Sequence, residues 1–236
     1  MRLDKFICNN SDYSRAQIHT LVKQGIICVN GEVVTKANYT ICEDDLVSVN
    51  NINITASGPR YFMLHKPQGY VCANSDSEHP TVLDLINEVN KQELQIAGRL
   101  DLDTTGLVLL TDDGKWNHKI TSPKHEHTKT YLVKTANAIT QDTIAVFAQG
   151  IILKNETKPT LPAALNIIDS HQARLEIHEG KYHQVKRMFA AVGNHVVSLH
   201  REAIGHVHLD HDLPERHYRP LTQTEIELFS KAEKHD

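Results

Sequence analysis

The sequence feature that most constrains this chain is a short polar loop followed at once by a buried strand. The loop spans residues 98–106, and between its two glycines stand Arg99, Asp101 and Asp103. The apolar run at 107–111 behind it predicts a strand buried in a sheet. Glycine permits tight turns and positive φ. The pattern therefore predicts a shaped loop held against a rigid sheet, a setting in which proteins often carry out chemistry.

The residues of this loop leave three interpretations open. Asp101 and Asp103 are typical of turn and capping positions, where a carboxylate accepts hydrogen bonds from its own backbone. An extended backbone would instead put both carboxylates on one face, roughly 6–7 Å apart, as Mg²⁺ ligands or an acid/base couple. In the third interpretation, one aspartate is a nucleophile or a base with Arg99 close by.

Composition narrows the class of protein. The chain has 236 residues, of which 40% are hydrophobic, enough for one sizeable core and a small extra module. Its net charge of -4 argues against a nonspecific nucleic-acid coat and leaves local basic surfaces open. The four cysteines lack C-x-x-C spacing, which favours a reducing compartment. Because no segment has the apolar length of a signal peptide or membrane span, we expect a cytoplasmic protein.

The first 57 residues are predicted to form a small module followed by a linker. Apolar residues at helical spacing from Leu3 predict one helix, and a Ser-x-x-Gln capping box at Ser14 begins a second. An Asn-Gly pair at 30–31 between two β-prone runs predicts a hairpin. Residues 50–58 are polar and without periodicity, which predicts a linker.

Residues 58–236 are predicted to form a larger domain with longer strands. Pro and Gly at favoured positions predict a turn at 66–69. Alternating or continuous apolar residues predict strands at 61–65, 70–73, 107–111, 129–133, 164–168, 174–178 and 195–204. Helical spacing and caps predict helices through 82–86, over 140–150, over 185–192 and from 222.

Three side chains of the larger domain are candidates for a site. Tyr131 lies on a strand face that is typical of a core. On the 185–192 helix, a rotation of 100° per residue puts Lys186 beside the buried stripe and Arg187 almost opposite it. Lys186 is therefore able to enter a cleft at the edge of the core, whereas Arg187 is better placed for solvent or RNA. A solvated basic face is the alternative for both residues.

A basic segment adds to these candidates. Residues 115–134 contain five lysines, among them Lys124 and Lys129, against the single Glu126, a balance of +4. Such a density in an acidic protein is typical of a surface that meets phosphates.

Four motifs, in this order along the chain, resemble those of RNA pseudouridine synthases. They are Lys66–Gly69, Gly98–Asp101 with Thr104–Gly106, Lys129–Tyr131, and the helix between Gly180 and Gly193. The front of the chain is similar to the S4-type RNA-binding fold, through residues 2–6 with Ser14 and Arg15. From Arg2 to about Phe229, the chain thus resembles the bacterial synthases that modify small-subunit ribosomal RNA.

The resemblance implies an α+β fold with two domains, 1–57 and 58–236. The first is an S4-like RNA-binding domain with its linker, and the second is a catalytic domain on a mixed, largely antiparallel sheet with flanking helices. It implies an isomerase that converts a specific uridine of 16S small-subunit ribosomal RNA to pseudouridine. No metal or organic cofactor is implied, because isomerisation involves no net redox change or hydrolysis. The alternative is a noncatalytic S4-type RNA-binding assembly factor.

The expected partner is small-subunit ribosomal RNA, naked or in a partly assembled particle, and we expect a monomer without membrane contact. The resemblance implies that Asp101 is the nucleophile and that Tyr131 is the tyrosine that stacks on the base. It implies that Lys186 is the basic partner of the nucleophile, with Arg187 as the alternative for that role. Asp103 remains a structural capping residue. The side chains expected to contact RNA are Arg99, Arg187, Lys129, Lys66, Arg2, Lys5 and Arg15.

Overall fold

The computed structural model describes residues 1–42, 44–56, 58–122, 125 and 127–229. The chain divides into two compact units. The first contains residues 1–59 together with 87–94, and the second contains the remainder. The units differ from the expected division at residue 57 chiefly in segment 87–94, which clusters with the first unit.

The first unit has two helices and a small antiparallel sheet. The helices are α1 (Leu3–Asn9) and α2 (Arg15–Lys23), and the strands are β1 (Ile27–Val29), β2 (Glu32–Val33), β3 (Val47–Val49) and β4 (Ile52–Ile54). The strand order is β2-β1-β3-β4. Leu3, Ile7, Ile18 and Ile27 are fully buried and form the centre of this unit's core. Burial of such aliphatic side chains is the main driving force that holds a module of this size together.

The local predictions for this unit are right at α2 and wrong in part at the linker. The Ser14 side chain accepts from the Gln17 amide, and the Gln17 side chain accepts from the Ser14 amide, so the capping box begins α2. The predicted linker at 50–58 instead begins with a hairpin, because β4 pairs with β3. Asn50 and Asn51 have φ of 56° and 65°, and a two-residue type I′ turn requires positive φ at both positions.

The second unit is built on a sheet whose strands, within the described residues, number nine. They are β5 (Tyr61–Lys66), β6 (Gln95–Ala97), β7 (Thr105–Thr111), β8 (Lys129–Thr135), β9 (Ala164–Asp169), β10 (Gln172–Ile177), β11 (Val196–Ile204), β12 (Val207–His208) and β13 (Tyr218–Pro220). The order is β13-β5-β7-β11-β8-β10-β9, with β6 paired to β7 and β12 to β11. Only the pairing of β7 with β11 is parallel among these strands, so the expected mixed, largely antiparallel sheet is confirmed.

The helices flank this sheet. They are α3 (Gly114–Thr121), α4 (Gln141–Gln149), α5 (Gln184–Ala191) and α6 (Gln223–Glu227), with a 3-10 turn at Val82–Leu85. In the described ranges, no helix has the length and apolar character needed to cross a membrane. α3 begins where the Asp113 side chain accepts from the amides of Lys115 and Trp116. Lys124 and Glu126 of the predicted basic segment lie outside the described residues.

Two secondary-structure predictions for this unit are wrong. The strand expected at 70–73 is absent from the described conformation of that segment, where only Val71 forms an isolated bridge with Thr81. Its expected partner β5 pairs with β7 and β13 instead. The helix expected through 82–86 is only a 3-10 turn, because the backbone is extended again at Ile86.

β7 is the strand that positions the functional loop. Its four residues from Leu107 to Leu110 are fully buried, so the strand is covered on both faces. Gly106, at its start, has a φ of +108°, and a Cβ there would lie 2.6 Å from the amide nitrogen of Arg201 and closer still to its carbonyl oxygen. β7 and β11 therefore approach each other at a distance that only glycine allows at this position.

We expect Gly106→Ala to lower the free energy of unfolding by more than about 2 kcal/mol, because the added Cβ forces the parallel strands apart at a positive φ. Gly69→Ala is the matched control, since Gly69 has a φ of +82° and open space around the Cβ position. Denaturant unfolding of both variants measures the difference. An equal loss in the two would mean that backbone strain alone, without the close approach, explains the effect.

Candidate active site

The 98–106 loop leads from β6 into β7 and turns sharply. The amide of Thr104 donates to the carbonyl of Asp101 at 3.2 Å, which closes a turn around Asp103. The loop is therefore not extended, and the geometry assumed for two carboxylates on one strand face does not occur. The two aspartates are instead linked by a third residue, which contacts both carboxylates.

That third residue is Lys186 on α5. Its ammonium lies 3.2 Å from Oδ2 of Asp101 and 2.6 Å from Oδ1 of Asp103. The side chain of Asp103 is 66% exposed, whereas those of Asp101 and Lys186 are 30% and 25% exposed. The Asp101–Lys186 pair is therefore the sheltered part of the cluster, where water screens charges least.

The charges of this cluster support one another. Partial burial opposes the charge of Lys186, but hydrogen bonds and attraction from Asp103 and Asp101 outweigh it and raise the pKa of the ammonium. Partial burial likewise opposes ionisation of Asp103, and the bond from Lys186 reverses this and lowers its pKa. Lys186 is thus a cation at neutral pH, and its charge favours the ionised form of Asp103.

Arg187 has a different role from the one expected. Its guanidinium donates to the carbonyls of Tyr182 and Lys154 and forms a 2.8 Å ion pair with Glu156. The side chain is only 25% exposed. The prediction that Arg187 faces solvent or RNA is therefore corrected: it holds two stretches of backbone beside α5, and Lys186 is the residue that reaches Asp101.

His183 is a neighbour of Asp101 that the sequence reasoning missed. Its Nε2 lies 3.5 Å from Oδ1 of Asp101, on the side away from Lys186, which contacts Oδ2. The residue precedes α5 with a left-handed φ of 48°. The only sequence signal was its position just before the helix that carries Lys186.

Tyr131 lines the same cleft from β8. A cavity of about 90 Å³ is lined by charged, aromatic and aliphatic side chains, which include Asp101, Tyr131, His183, Lys186, Ile177, Val185 and Leu199. Tyr131 is 8% exposed and so is largely a core residue that also lines the cleft. A ring, a carboxylate and a cation around a small, partly apolar cavity suit a planar polar ligand.

Lys66 lies beneath the loop and not on a surface open to RNA. It is fully buried, and its ammonium donates to the carbonyls of Pro67, Leu102 and Thr104 at 3.0, 3.3 and 2.7 Å. Burial lowers the pKa of Lys66, and the nearby acidic groups oppose that effect. The predicted RNA contact is therefore wrong, because this buried ammonium donates to two carbonyls of the loop and to the carbonyl of its own neighbour Pro67.

Arg201 supports the loop from β11 and was also missed. It is 2% exposed, and its guanidinium donates to the carbonyls of Leu107, Arg99 and Gly98. A strand arginine is ordinarily expected at the surface, so no local pattern indicated its burial. Lys66 and Arg201 together donate hydrogen bonds to carbonyls at both ends of the loop that carries Asp101.

The remaining predicted basic residues lie outside this cluster. Arg99 is exposed and lines both the Asp101 cleft and a second cavity of about 400 Å³, which is also lined by Lys129 and Tyr131. Burial, followed by repulsion from Arg201, lowers the pKa of Lys129. In the described part of the chain, no group of three His, Cys, Asp or Glu side chains is arranged to hold a metal ion.

In the first unit, the predicted basic residues Arg2, Lys5 and Arg15 are exposed. Arg2 forms an ion pair with Asp4 at 2.6 Å, and Arg15 forms one with Glu93 at 3.1 Å. The more exposed Arg15–Glu93 pair is of the weak kind that exchanges for another anion, whereas Arg2 holds the buried carboxylate of Asp4 with two hydrogen bonds.

Comparison with known proteins identifies relatives of both units. A family model described as RNA pseudouridylate synthase matches residues 60–191, and a model described as S4 domain matches residues 1–47. The chain is 53% identical over 227 residues to the ribosomal small subunit pseudouridine synthase A of Escherichia coli (strain K12), covering 96% of this chain and 98% of the relative. It is 50% identical over 232 residues to the protein of that name from Haemophilus influenzae, covering 98% and 100%.

A solved structure is also similar over almost the whole chain. It is described as the crystal structure of pseudouridylate synthase, with a TM-score of 0.71 and 49% sequence identity. The match covers 97% of this chain and 99% of that one. The likeness therefore extends to both units and is not confined to one motif.

We expect Lys66→Met to lower the free energy of unfolding by roughly 2–4 kcal/mol, because loop carbonyls lose their buried donor while the side-chain volume is kept. Lys158→Met, at an exposed lysine of the same unit, is the matched control and should stay within about 0.5 kcal/mol of the parent. Denaturant unfolding measures both. A Lys66→Met protein as stable as the control would contradict the supporting role.

Proposed function

Since the chain belongs to the RNA pseudouridylate synthase family and is an RNA pseudouridine synthase, we propose that it isomerises a uridine of small-subunit ribosomal RNA, with Asp101 as the nucleophile. The near full-length similarity to two ribosomal small subunit pseudouridine synthases A supports this substrate. The one observation on which the proposal depends most is the sheltered Asp101–Lys186 pair at 3.2 Å beside the Tyr131 cleft.

The chemistry requires a group that is both charged and close to the base. Conversion of uridine to pseudouridine breaks the N-glycosidic bond and rejoins the base to the sugar through C5. A carboxylate can attack the sugar or base, or remove a sugar proton, and it departs afterwards. The ammonium of Lys186, 3.2 Å away, compensates the negative charge of Asp101 when RNA covers the cleft and displaces water.

The target base must leave the RNA stack, since neither C5 nor the sugar carbon is reachable inside a helix. We propose that the uracil enters the cleft and lies against the ring of Tyr131, which lines the same cavity as Asp101. The aliphatic walls from Ile177, Val185 and Leu199 then exclude water around the detached base. Tyr131 thereby holds the base while its orientation toward the sugar changes.

Basic residues other than Lys186 supply the RNA contacts of the proposal. Arg99 and Lys129 border the second cavity, which shares Tyr131 with the cleft, and so flank the path of the strand. Arg2, Lys5 and Arg15 form an exposed basic set on the S4-like unit. Such side chains bind phosphates without reading sequence. The proposed partner is small-subunit ribosomal RNA, naked or in a partly assembled particle, bound by a monomer in the cytoplasm.

We expect Asp101→Asn to abolish pseudouridine formation in undermodified small-subunit ribosomal RNA, because an amide is not a nucleophile or base of the required strength. Asp103→Asn, the matched control, should keep activity within about tenfold of the parent, because its contribution is an exposed ion pair. Carbodiimide labelling and primer extension measure the product at each uridine.

Three outcomes of that experiment separate the proposals. Normal product from Asp101→Asn would remove Asp101 from the mechanism. Tight RNA binding without isomerisation by the parent protein under any condition would favour a noncatalytic assembly factor. Equal loss in both variants, together with loss in EDTA, would favour a magnesium enzyme that uses both carboxylates.

For the S4-like unit, we expect Lys5→Gln combined with Arg15→Gln to weaken RNA binding and to reduce the slope of log affinity against log salt by roughly 1.4–1.8. Each phosphate contact contributes about 0.7–0.9 to that slope. Binding titrations between low and physiological salt measure it, with Lys158→Gln as control. An unchanged slope would show that these two residues do not meet phosphates.

A further inference from the structure

The mouth of the cleft has a pair of stacked rings that the proposed chemistry does not use. Tyr182 and His183 have ring centroids 3.8 Å apart and an interplanar angle of 20°. The side of Tyr182 that faces His183 is therefore covered. Yet Tyr182 is 77% exposed, so its outer face is open to solvent. A large ring left this exposed forgoes most of the stabilisation that burial gives to aromatic residues.

The ring pair is held in a fixed position. The backbone of His183 has a φ of 48°, a conformation uncommon for a residue with a side chain. The carbonyl of Tyr182 accepts a hydrogen bond from Arg187 at 3.1 Å. Arg187 is itself bound to Glu156 at 2.8 Å and to the carbonyl of Lys154 at 2.8 Å. The backbone of Tyr182 is thus held in place, and its ring already rests on His183 before any ligand arrives, which lowers the entropic cost of binding.

One ring of the pair, that of His183, also lies beside Asp101. Nε2 of His183 lies 3.5 Å from Oδ1 of Asp101, and Tyr182 stacks on His183 on the outward side. A strand that delivers one base into the cleft therefore brings the adjoining nucleotide to this rim. Exposed aromatic rings are the usual platforms for unstacked RNA bases, because every base has a π face.

We propose that the outer face of Tyr182 binds the nucleobase next to the target uridine, which extends the His183–Tyr182 stack from two rings to three. This inference rests on the proposed function and adds a second base-binding site to it. Because stacking accepts all four bases, the site fixes the position of the strand and does not read its sequence. It replaces the stacking partner that the neighbouring base loses when the uridine leaves the RNA helix.

The test uses the full-length chain and a small-subunit ribosomal RNA fragment containing the mapped target uridine. The fragment is prepared unmodified, with an abasic nucleotide on the 5′ side of the target, or with one on the 3′ side. We expect Tyr182→Ala to lower kcat/KM on unmodified RNA by roughly five- to a hundredfold, mostly through KM. Tyr182→Phe and Tyr182→Trp should keep parental values because they keep a ring, whereas Tyr182→Leu should behave like Tyr182→Ala.

The abasic RNAs identify the ligand of the ring. On one of them, the parent protein should fall to the level of Tyr182→Ala, and Tyr182→Ala should show no further loss, because the two changes remove the same contact. Unfolding midpoints should be unchanged in all four variants, since the side chain is exposed. A readout that needs no turnover is 2-aminopurine at the same position, whose fluorescence should be quenched by the parent and not by Tyr182→Ala.

Several results would overturn the inference. They are a parental kcat/KM for Tyr182→Ala, an equal loss in Tyr182→Phe, and losses that multiply with both abasic substitutions. A loss seen only with assembled particles would assign the ring to a protein partner. Absence of pseudouridine with the parent on every RNA would instead overturn the proposed function, while 2-aminopurine quenching would still report on the stacking site.

Discussion

Two buried cations hold the backbone of the 98–106 loop, and the geometry of the site depends on them. Lys66 donates to two carbonyls of the loop and Arg201 to two others, and each also donates to one carbonyl outside the loop. A tight loop cannot satisfy its own carbonyls through a strand ladder or a helix, and a buried carbonyl without a donor is costly. The two cations supply the missing donors, and the carbonyls in turn offset the free-energy cost of burying two charges.

This support allows the loop to present Asp101 with little freedom. The carboxylate is approached by Lys186 at one oxygen and by His183 at the other, and both neighbours stand at the start of α5. The close contact of β7 with β11 at Gly106 fixes where the loop ends. The carboxylate of Asp101 is thus located by one loop and one helix whose positions are set by the same sheet, which is the precision that the proposed catalysis demands.

Local sequence patterns predicted the elements that depend on neighbouring residues, and they missed features that depend on few or distant residues. The apolar stripe of α5, the capping box of α2 and the buried run of β7 each depend on neighbouring residues, and each is found where the pattern indicates. α3 has only Trp116 and Ile120 as buried residues, too few for a helical period. The burial of Arg201 depends on carbonyls about a hundred positions away in the chain. Such a contact leaves no trace in local spacing.

The shared ammonium of Lys186 has a consequence for the cleft once RNA covers it. In the free protein, the more exposed Asp103 is the nearer partner, at 2.6 Å against 3.2 Å for Asp101. A base that fills the cleft removes water from Asp101 first, because that side chain borders the cavity. Attraction between charges grows as the effective dielectric constant falls, whereas Asp103 stays screened by solvent. In the proposed reaction, filling the cleft therefore shifts the balance of Lys186 toward Asp101, the carboxylate to which the proposal gives the role of nucleophile.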